Sequence, residues 1–396
     1  MEQVDITIIG GGLGVVMACY FAEHYPALST LVLEKNKHLG EEQTGHSSGV
    51  RHAGFLYSPD STKALLCVEG HKQQKEFCQR YDIACEDVGK CTIATNPSGI
   101  KMLEHYLDNA LRSGIPATIL SRDELKSLEP NVEGLAALYT PTTGILDVAS
   151  YIQKKAALAR QYGAEILTSS EVVSIHRQDN GFILDVQNAQ EQYSFYTHLL
   201  FNMAGLQAQK IGKMINADFP YELKILRGEY MKFNRNSRPE LHVGRNIYPV
   251  PRPIPGLYDQ GRPKMMVGTH LTPTFEMDAQ GKTVIGNTVI VGPLAELVAS
   301  SDSAIRKPAQ AFQEDIKNIL PSLNVNDLQE DHIGHQVKIL GHADFVIETD
   351  PDFPQAVHII CDSPGITAGE AIPNYVKSKV LGSQLERLVQ KKEHNL

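Results

Sequence analysis

Residues 5–9, DITII, form a β-branched apolar run that leads straight into Gly10-Gly11-Gly12-Leu13-Gly14. Such a run suits a strand buried on both faces. Bare backbone after it lets a pyrophosphate approach the free N–H groups and positive dipole end of the next helix. A helix from about Leu13 to His24 then returns to a second strand, Thr30 to Leu33, with Glu34 at its tip. An acid there accepts hydrogen bonds from ribose hydroxyls and favours an adenosine dinucleotide lacking a 2′-phosphate. Each piece alone reads as a Gly-rich turn or a solvated acid; together they favour the dinucleotide. One departure bears on this: the standard G-x-G-x-x-G spacing puts a glycine at 15, for close helix–strand packing, and here Val15 follows Gly14.

The segment 41–57, EEQTGHSSGVRHAGFLY, has neither helical nor strand period. A nicotinamide dehydrogenase would proceed directly to another βα unit. A Gly/Ser/His-rich stretch of this length instead suits tracking along a longer cofactor, so FAD is preferred.

These elements must be held by a chain of 396 residues, longer than one hydrophobic core usually serves, so two domains are expected. Apolar residues make up 42% and charged residues 21%, with a net charge of -9, a globular composition that argues against nucleic-acid binding and for a small-molecule ligand. Six cysteines (Cys19, Cys67, Cys78, Cys85, Cys91, Cys361) show no C-x-x-C pair and no metal-ligand spacing. They read as reduced thiols, and no metal is expected. Acidic Glu2 and Asp5 and the short apolar run after them do not make a signal peptide. A cytoplasmic protein is expected.

Helices are expected from Ser58-Pro59 to about Arg80, over 99–113, over 122–128 behind the capping box Ser121-x-x-Glu124, over 148–162 and 308–320, and from about Thr367 to Lys391. From 164 to 204 and again from 223 the pattern turns to strands, which suggests a broad antiparallel sheet. The last helix carries Val376, Val380, Leu385, Leu388 and Val389 against Lys377, Lys379, Arg387, Lys391 and Lys392. Docking on the core is the plainer reading; peripheral contact with an anionic inner membrane face is the other.

The stretches QTGHSSGVRHAGFLYSP, STKALLCVEG, LEPNVEGLAALYTPTTGILD, LRGEY, IYPVP, VGTHLT, VGP and CDSPGITAGEAI resemble the FAD-dependent amine and hydroxy-acid oxidoreductases of the D-amino-acid oxidase fold. More narrowly they resemble the L-2-hydroxyglutarate oxidases and dehydrogenases of that group, from about Val4 to Gly382. The resemblance implies an α/β fold: a Rossmann-like FAD domain of the glutathione-reductase type (1–88, 146–216, 335–396), and a substrate domain on a largely antiparallel sheet (89–145, 217–334). It implies that Gly10, Gly12, Leu13, Gly14, Glu34 and Lys35 hold the adenosine half of FAD, with Val173, Ala204 and Gly205 flanking it. Thr44, Gly45, His46, Ser47, Ser48 and Gly49 would line the pyrophosphate and ring. The loop Pro364, Gly365, Ile366, Thr367 would aim N–H groups at the flavin, where a helix N-terminus offsets the negative charge of reduction.

Oxidising a 2-hydroxy acid needs a base, and His52 and His270 are the candidates, imidazole titrating near working pH. His52 has a second reading, covalent attachment to flavin. Arg227, with Tyr230 and Tyr248, suits a carboxylate fork. Where the family carries Arg in G-[IV]-R, this chain reads Gln336-Val337-Lys338, and lysine lacks the planar fork. Arg51, where an aliphatic residue is commoner, is the displaced cation that would compensate. The expected activity is oxidation of L-2-hydroxyglutarate or a similar 2-hydroxy acid, with an unknown electron acceptor, a quinone or oxygen. The alternatives are an amine (glycine- or sarcosine-type) oxidoreductase and a flavin-binding protein without catalysis.

Overall fold

Strand Gln3–Ile9 sits mid-sheet, paired in parallel with Thr30–Leu33 on one side and Gln192–Asn202 on the other. The computed structural model describes residues 1–259, 261–300 and 306–394, and the chain divides into two units. The first comprises Met1–Gly45, Val148–Leu223 and Asp344–Leu396; the second comprises His46–Asp147 and Lys224–Ala343.

In the first unit the parallel sheet extends through Glu165–Leu167 beside Thr30–Leu33 and through Ala356–Ile360 beside Gln192–Asn202. An antiparallel meander, Glu171–Gln178 and Gly181–Gln187, closes onto Gln192–Asn202. Ile6, Ile8 and Val32 are fully buried, which explains why these strands lack alternation: both faces are covered. Helix Gly14–His24 buries Val15, Val16, Met17, Ala18 and Phe21. The displaced glycine is accounted for here, since a Cβ on Gly14 would lie 2.9 Å from the Ile8 methyl. Gly14 thus gives the close helix–strand approach expected of residue 15, and Val15 is fully buried beside it.

The second unit is built on an eight-stranded sheet ordered Gln329–Ile339, Leu223–Asn234, Thr283–Val298, His270–Met277, Asn246–Pro249, Lys90–Ala94, Ala136–Thr140, Thr118–Ser121. Among its described pairings all are antiparallel except that of Asn246–Pro249 with Lys90–Ala94. One face carries Cys91, Ile93, Ile247, Leu271, Val289 and Val291 into an apolar core closed by Phe312, Ile316 and Leu320.

Three expectations change. Residues 46–88 belong to the second unit rather than the first, because Val50–Arg51 pairs with Gly144–Leu146 and Ala53 and Phe55 pack with Leu103, Tyr106 and Leu138. The helix expected from Pro59 starts at Thr62: Ser61 caps it by accepting from the Ala64 N–H, and Ser58 to Ser61 form a turn. The last helix is not continuous. Short helices Gly365–Ala368 and Ile372–Tyr375 precede a π-helical turn Val376–Leu381, Gly382 breaks the run at φ 53°, and Gln384–Glu393 resumes. That final segment is docked, with Leu385 buried and Lys392 paired to Asp5 at 2.5 Å. Among the described residues no helix is long and apolar enough to cross a membrane.

Candidate active site

The glycine loop and the ends of the neighbouring strands enclose a cavity of about 920 Å³, its open mouth included, entirely within the first unit. Gly10 turns at φ 118°, and a Cβ there would lie 2.3 Å from the Met203 carbonyl oxygen; only glycine fits. A Cβ on Gly12 would meet the Thr44 hydroxyl at 2.5 Å. Glu34 is buried with both oxygens engaged, accepting from the Gly11 N–H at 2.7 Å and the Asn36 N–H at 2.8 Å. Burial raises its pKa, the two N–H bonds working the other way. The carboxylate is therefore held in one orientation at the cavity wall.

Leu13, Lys35, Thr44, Ala204 and Gly205 line this cavity as expected. Val173 does not: its neighbour Val172 does, while Val173 is exposed, because a bulge between Val172 and Ser174 shifts the register there. Gly14 packs behind the loop, and the Gly45 N–H closes a turn onto the Gly40 carbonyl at 2.8 Å. The turn containing Pro364, Gly365, Ile366 and Thr367 sits by the glycine loop, with the position of a Gly365 Cβ 3.5 Å from Leu13. Sequence reasoning read Gly11 only as part of the glycine loop and missed Asn36 and Gln43, whose amide donates to the Cys361 carbonyl at 2.7 Å. The latter two act through backbone or tertiary contacts.

The second unit holds a different cluster. Opposite the apolar core face, strand alternation puts Lys90, Thr92, Tyr248, His270 and Thr272 together, since Tyr248 pairs with Thr92 and Ile247 with Leu271. His270 stacks on Tyr248 with ring centroids 3.9 Å apart, and its Nδ1 is 3.2 Å from Thr272 Oγ1. Ser48 lies close enough to Tyr248 to influence its hydroxyl. His52 joins the group. Burial, then the charges of Lys90 and His71, push its pKa down to about 3, and burial holds His270 well below its usual value. Both imidazoles are neutral at physiological pH. The two base candidates, 218 positions apart in the chain, are thus brought into one charged neighbourhood.

The expected anchors lie elsewhere. Arg227 is buried and ion-paired to Glu229, with Glu296 at 3.4 Å. Arg51 is buried against Asp87 and donates to the His71 carbonyl at 2.9 Å. Both guanidinium groups are already engaged by carboxylates of the protein. Lys338 is nearly buried on strand Gln329–Ile339. Of the loop residues, Gly49 pairs with Leu146, its N–H 3.4 Å from Ser47 Oγ, and His46 lies 6.0 Å from His332.

The family model "DAO: FAD dependent oxidoreductase" matches residues 5–372. The chain belongs to this family. The cradle fits FAD on its own terms: Gly10 and Gly12 leave the room a pyrophosphate needs, and Glu34 stands ready for a ribose. The protein is therefore an FAD-dependent oxidoreductase. It is 30% identical over 394 residues to an L-2-hydroxyglutarate dehydrogenase of Indibacter alkaliphilus, covering 93% of this chain and 96% of that one. Among solved structures it is similar to an L-α-glycerophosphate oxidase from Mycoplasma pneumoniae with FAD bound (TM-score 0.76, 23% identity, 94% of each chain). It is also similar to glycine oxidase from Geobacillus kaustophilus (TM-score 0.77, 15% identity, 98% and 95% of the chains). At these identities the two structures share the fold with this chain, a Rossmann-like FAD-binding unit with a second, sheet-based one.

Proposed function

We propose that the protein oxidises L-2-hydroxyglutarate, or a closely similar 2-hydroxy acid, to the 2-oxo acid. When bound, FAD supplies the acceptor for the hydride that leaves C2. The chain must then take the hydroxyl proton, and the observation that carries the reading is the half-buried, neutral His52 beside a second neutral imidazole, the buried His270. A neutral imidazole has a lone pair for that proton, and the low basicity to which burial and the Lys90 charge hold it must be relieved as substrate binds. His71, whose Nδ1 lies 3.0 Å from the His52 carbonyl, fixes the loop from behind. The chain-long likeness to a protein named for L-2-hydroxyglutarate supports the substrate, and the glycine oxidase likeness supports only the fold.

Anaerobic mixing of the yellow holoenzyme with L-2-hydroxyglutarate, its D isomer, lactate, glycine and sarcosine tests this. Rapid bleaching by L-2-hydroxyglutarate is expected. Faster bleaching by glycine or sarcosine would replace the reading with amine oxidation, and bleaching by none of them would replace it with flavin binding alone. Reoxidation by a quinone or by oxygen identifies the acceptor.

A further inference from the structure

The second unit contains a buried cation for which the described residues supply no counter-ion. Lys90 is 1% exposed. Its Nζ lies 4.1 Å from the Tyr248 ring centroid and 4.8 Å from that of Phe55. Rings stabilise an ammonium but do not replace the hydrogen bonds it gave up in water. Among the described residues no carboxylate reaches it, and the one group whose charge would help is the thiol of Cys67, which burial pushes up to about 12 and so keeps neutral. Arg51 and Arg227, equally buried, each have a carboxylate. So does the buried Lys155, paired with Glu370 at 2.7 Å, whereas Lys90 has none among the described residues.

A hydroxyl on the same sheet face is open too. Thr92 Oγ1 is buried without a hydrogen-bond partner, and the buried Tyr248 hydroxyl lies near those of Ser48 and Thr272. Buried polar groups are usually satisfied, so an orphan hydroxyl on the face that carries an unpaired cation marks a place where a ligand completes the bonding. The ligand must carry negative charge and acceptor oxygens.

We propose that Lys90 is the cation that receives a carboxylate of the substrate, with Tyr248 and Thr92 donating to the same group. This rests on the 2-hydroxy-acid reading and supplies the anchor that Arg227 and Arg51 do not. It also links binding to chemistry. The Lys90 charge is one cause of the low basicity of His52. A carboxylate on Lys90 cancels that charge, so His52 becomes a stronger base when substrate is in place.

Burial brings Lys90 down to about 7, so its charge is present below that pH and lost above it. The titratable groups facing it do not confuse the readout. His52 and His270 titrate far lower, while Cys67 and Tyr248 titrate far higher.

The test uses the FAD-loaded protein and glutarate, a five-carbon diacid with no hydroxyl to oxidise. Glutarate binding is followed by calorimetry from pH 6 to 9 in wild type, Lys90→Met and Lys90→Arg. Wild type should bind glutarate and lose about tenfold in affinity per pH unit above pH 7. Lys90→Met, which keeps the volume and removes an unpaired charge, should stay folded and yellow, bind about 30- to 1,000-fold more weakly, and show no pH dependence. Lys90→Arg should recover part of the affinity with the pH limb gone, because guanidinium stays charged. With L-2-hydroxyglutarate, the half-saturating concentration for flavin reduction should rise in Lys90→Met by the same factor as the glutarate constant. Unchanged glutarate affinity and pH profile in Lys90→Met would overturn the proposal, as would absence of glutarate binding to the wild type. Wild type that binds glutarate at Lys90 yet is not bleached by L-2-hydroxyglutarate would overturn the substrate reading and leave the anchor standing.

Discussion

His270 lies flat on Tyr248, the planes 6° apart and the centroids 3.9 Å apart, and Lys90 stands 4.1 Å over that same Tyr248 ring. One aromatic ring thus separates an imidazole from an ammonium. The imidazole is held neutral partly because of that arrangement, since a second positive charge next to Lys90 is disfavoured.

This fixes the shape of the pH profile. His52 is already neutral from pH 5 upward, so the kcat/KM profile should show no rise near 6.5 from deprotonation of this histidine. Instead kcat/KM should fall as pH rises through about 7, where Lys90 loses its proton. His52→Ala should slow flavin reduction by roughly a hundredfold or more while leaving the fall near 7 in place. A fall near 7 that vanishes in His52→Ala would assign it to the histidine instead.

Acid should destabilise the protein. The folded pKa values of His52 and His71 lie near 3, below an unfolded value near 6.5. Between these limits the unfolded chain binds protons that the folded one refuses. Stability is therefore full above 6.5 and falls as pH drops toward 3, by about 1.4 kcal/mol per pH unit for each histidine. Urea unfolding at pH 7, 6 and 5 measures the slope. In His71→Gln it should be shallower by one proton, and an unchanged slope would remove His71 from the account.

Gly10→Ala should abolish cofactor loading. Both the positive φ and the approach to the Met203 carbonyl oppose a Cβ, at a cost of roughly 2 to 4 kcal/mol. Gly12→Ala meets the end of the Thr44 side chain, which can rotate, and should be milder. The ratio of visible to protein absorbance after purification checks the order of the two.

Arg227 should behave as a structural ion. Arg227→Met leaves Glu229 buried and unpaired, apart from the Lys307 N–H at 2.9 Å, and should cost about 3 to 5 kcal/mol of stability. The double variant Arg227→Met/Glu229→Leu should recover most of that. A large rise in KM with stability intact would restore Arg227 to the substrate site.

What the sequence disclosed was local. Strand, glycine loop, helix and Glu34 lie within 30 residues, and their chemistry follows from spacing, so the cofactor cradle could be read directly. The placement of 46–88 could not, because it depends on Val50 meeting Ile145. The exposure of Val173 has a subtler cause: one bulged residue changes which side chain faces the cavity. Lys90 gave little signal. Within KCTIA it sits two residues from Thr92 and four from Ala94, in the phase that turns out to be buried on the polar face, but nothing local says that no carboxylate will meet it.

The order of segments in the first unit has a consequence for how the protein is made. Its central strand Gln192–Asn202 leaves the ribosome long before Ala356–Ile360, the strand that pairs beside it. Ile359 and Cys361 also line the cofactor cavity. From the emergence of Asn202 until that of Ala356 the nascent chain therefore carries an incomplete sheet edge, and the second unit, whose last segment ends at Ala343, has all its strands before that edge is closed. Cofactor capture must wait until the stretch after Asp344 has emerged, and a chain cut short there will be colourless and ready to aggregate through the open strand.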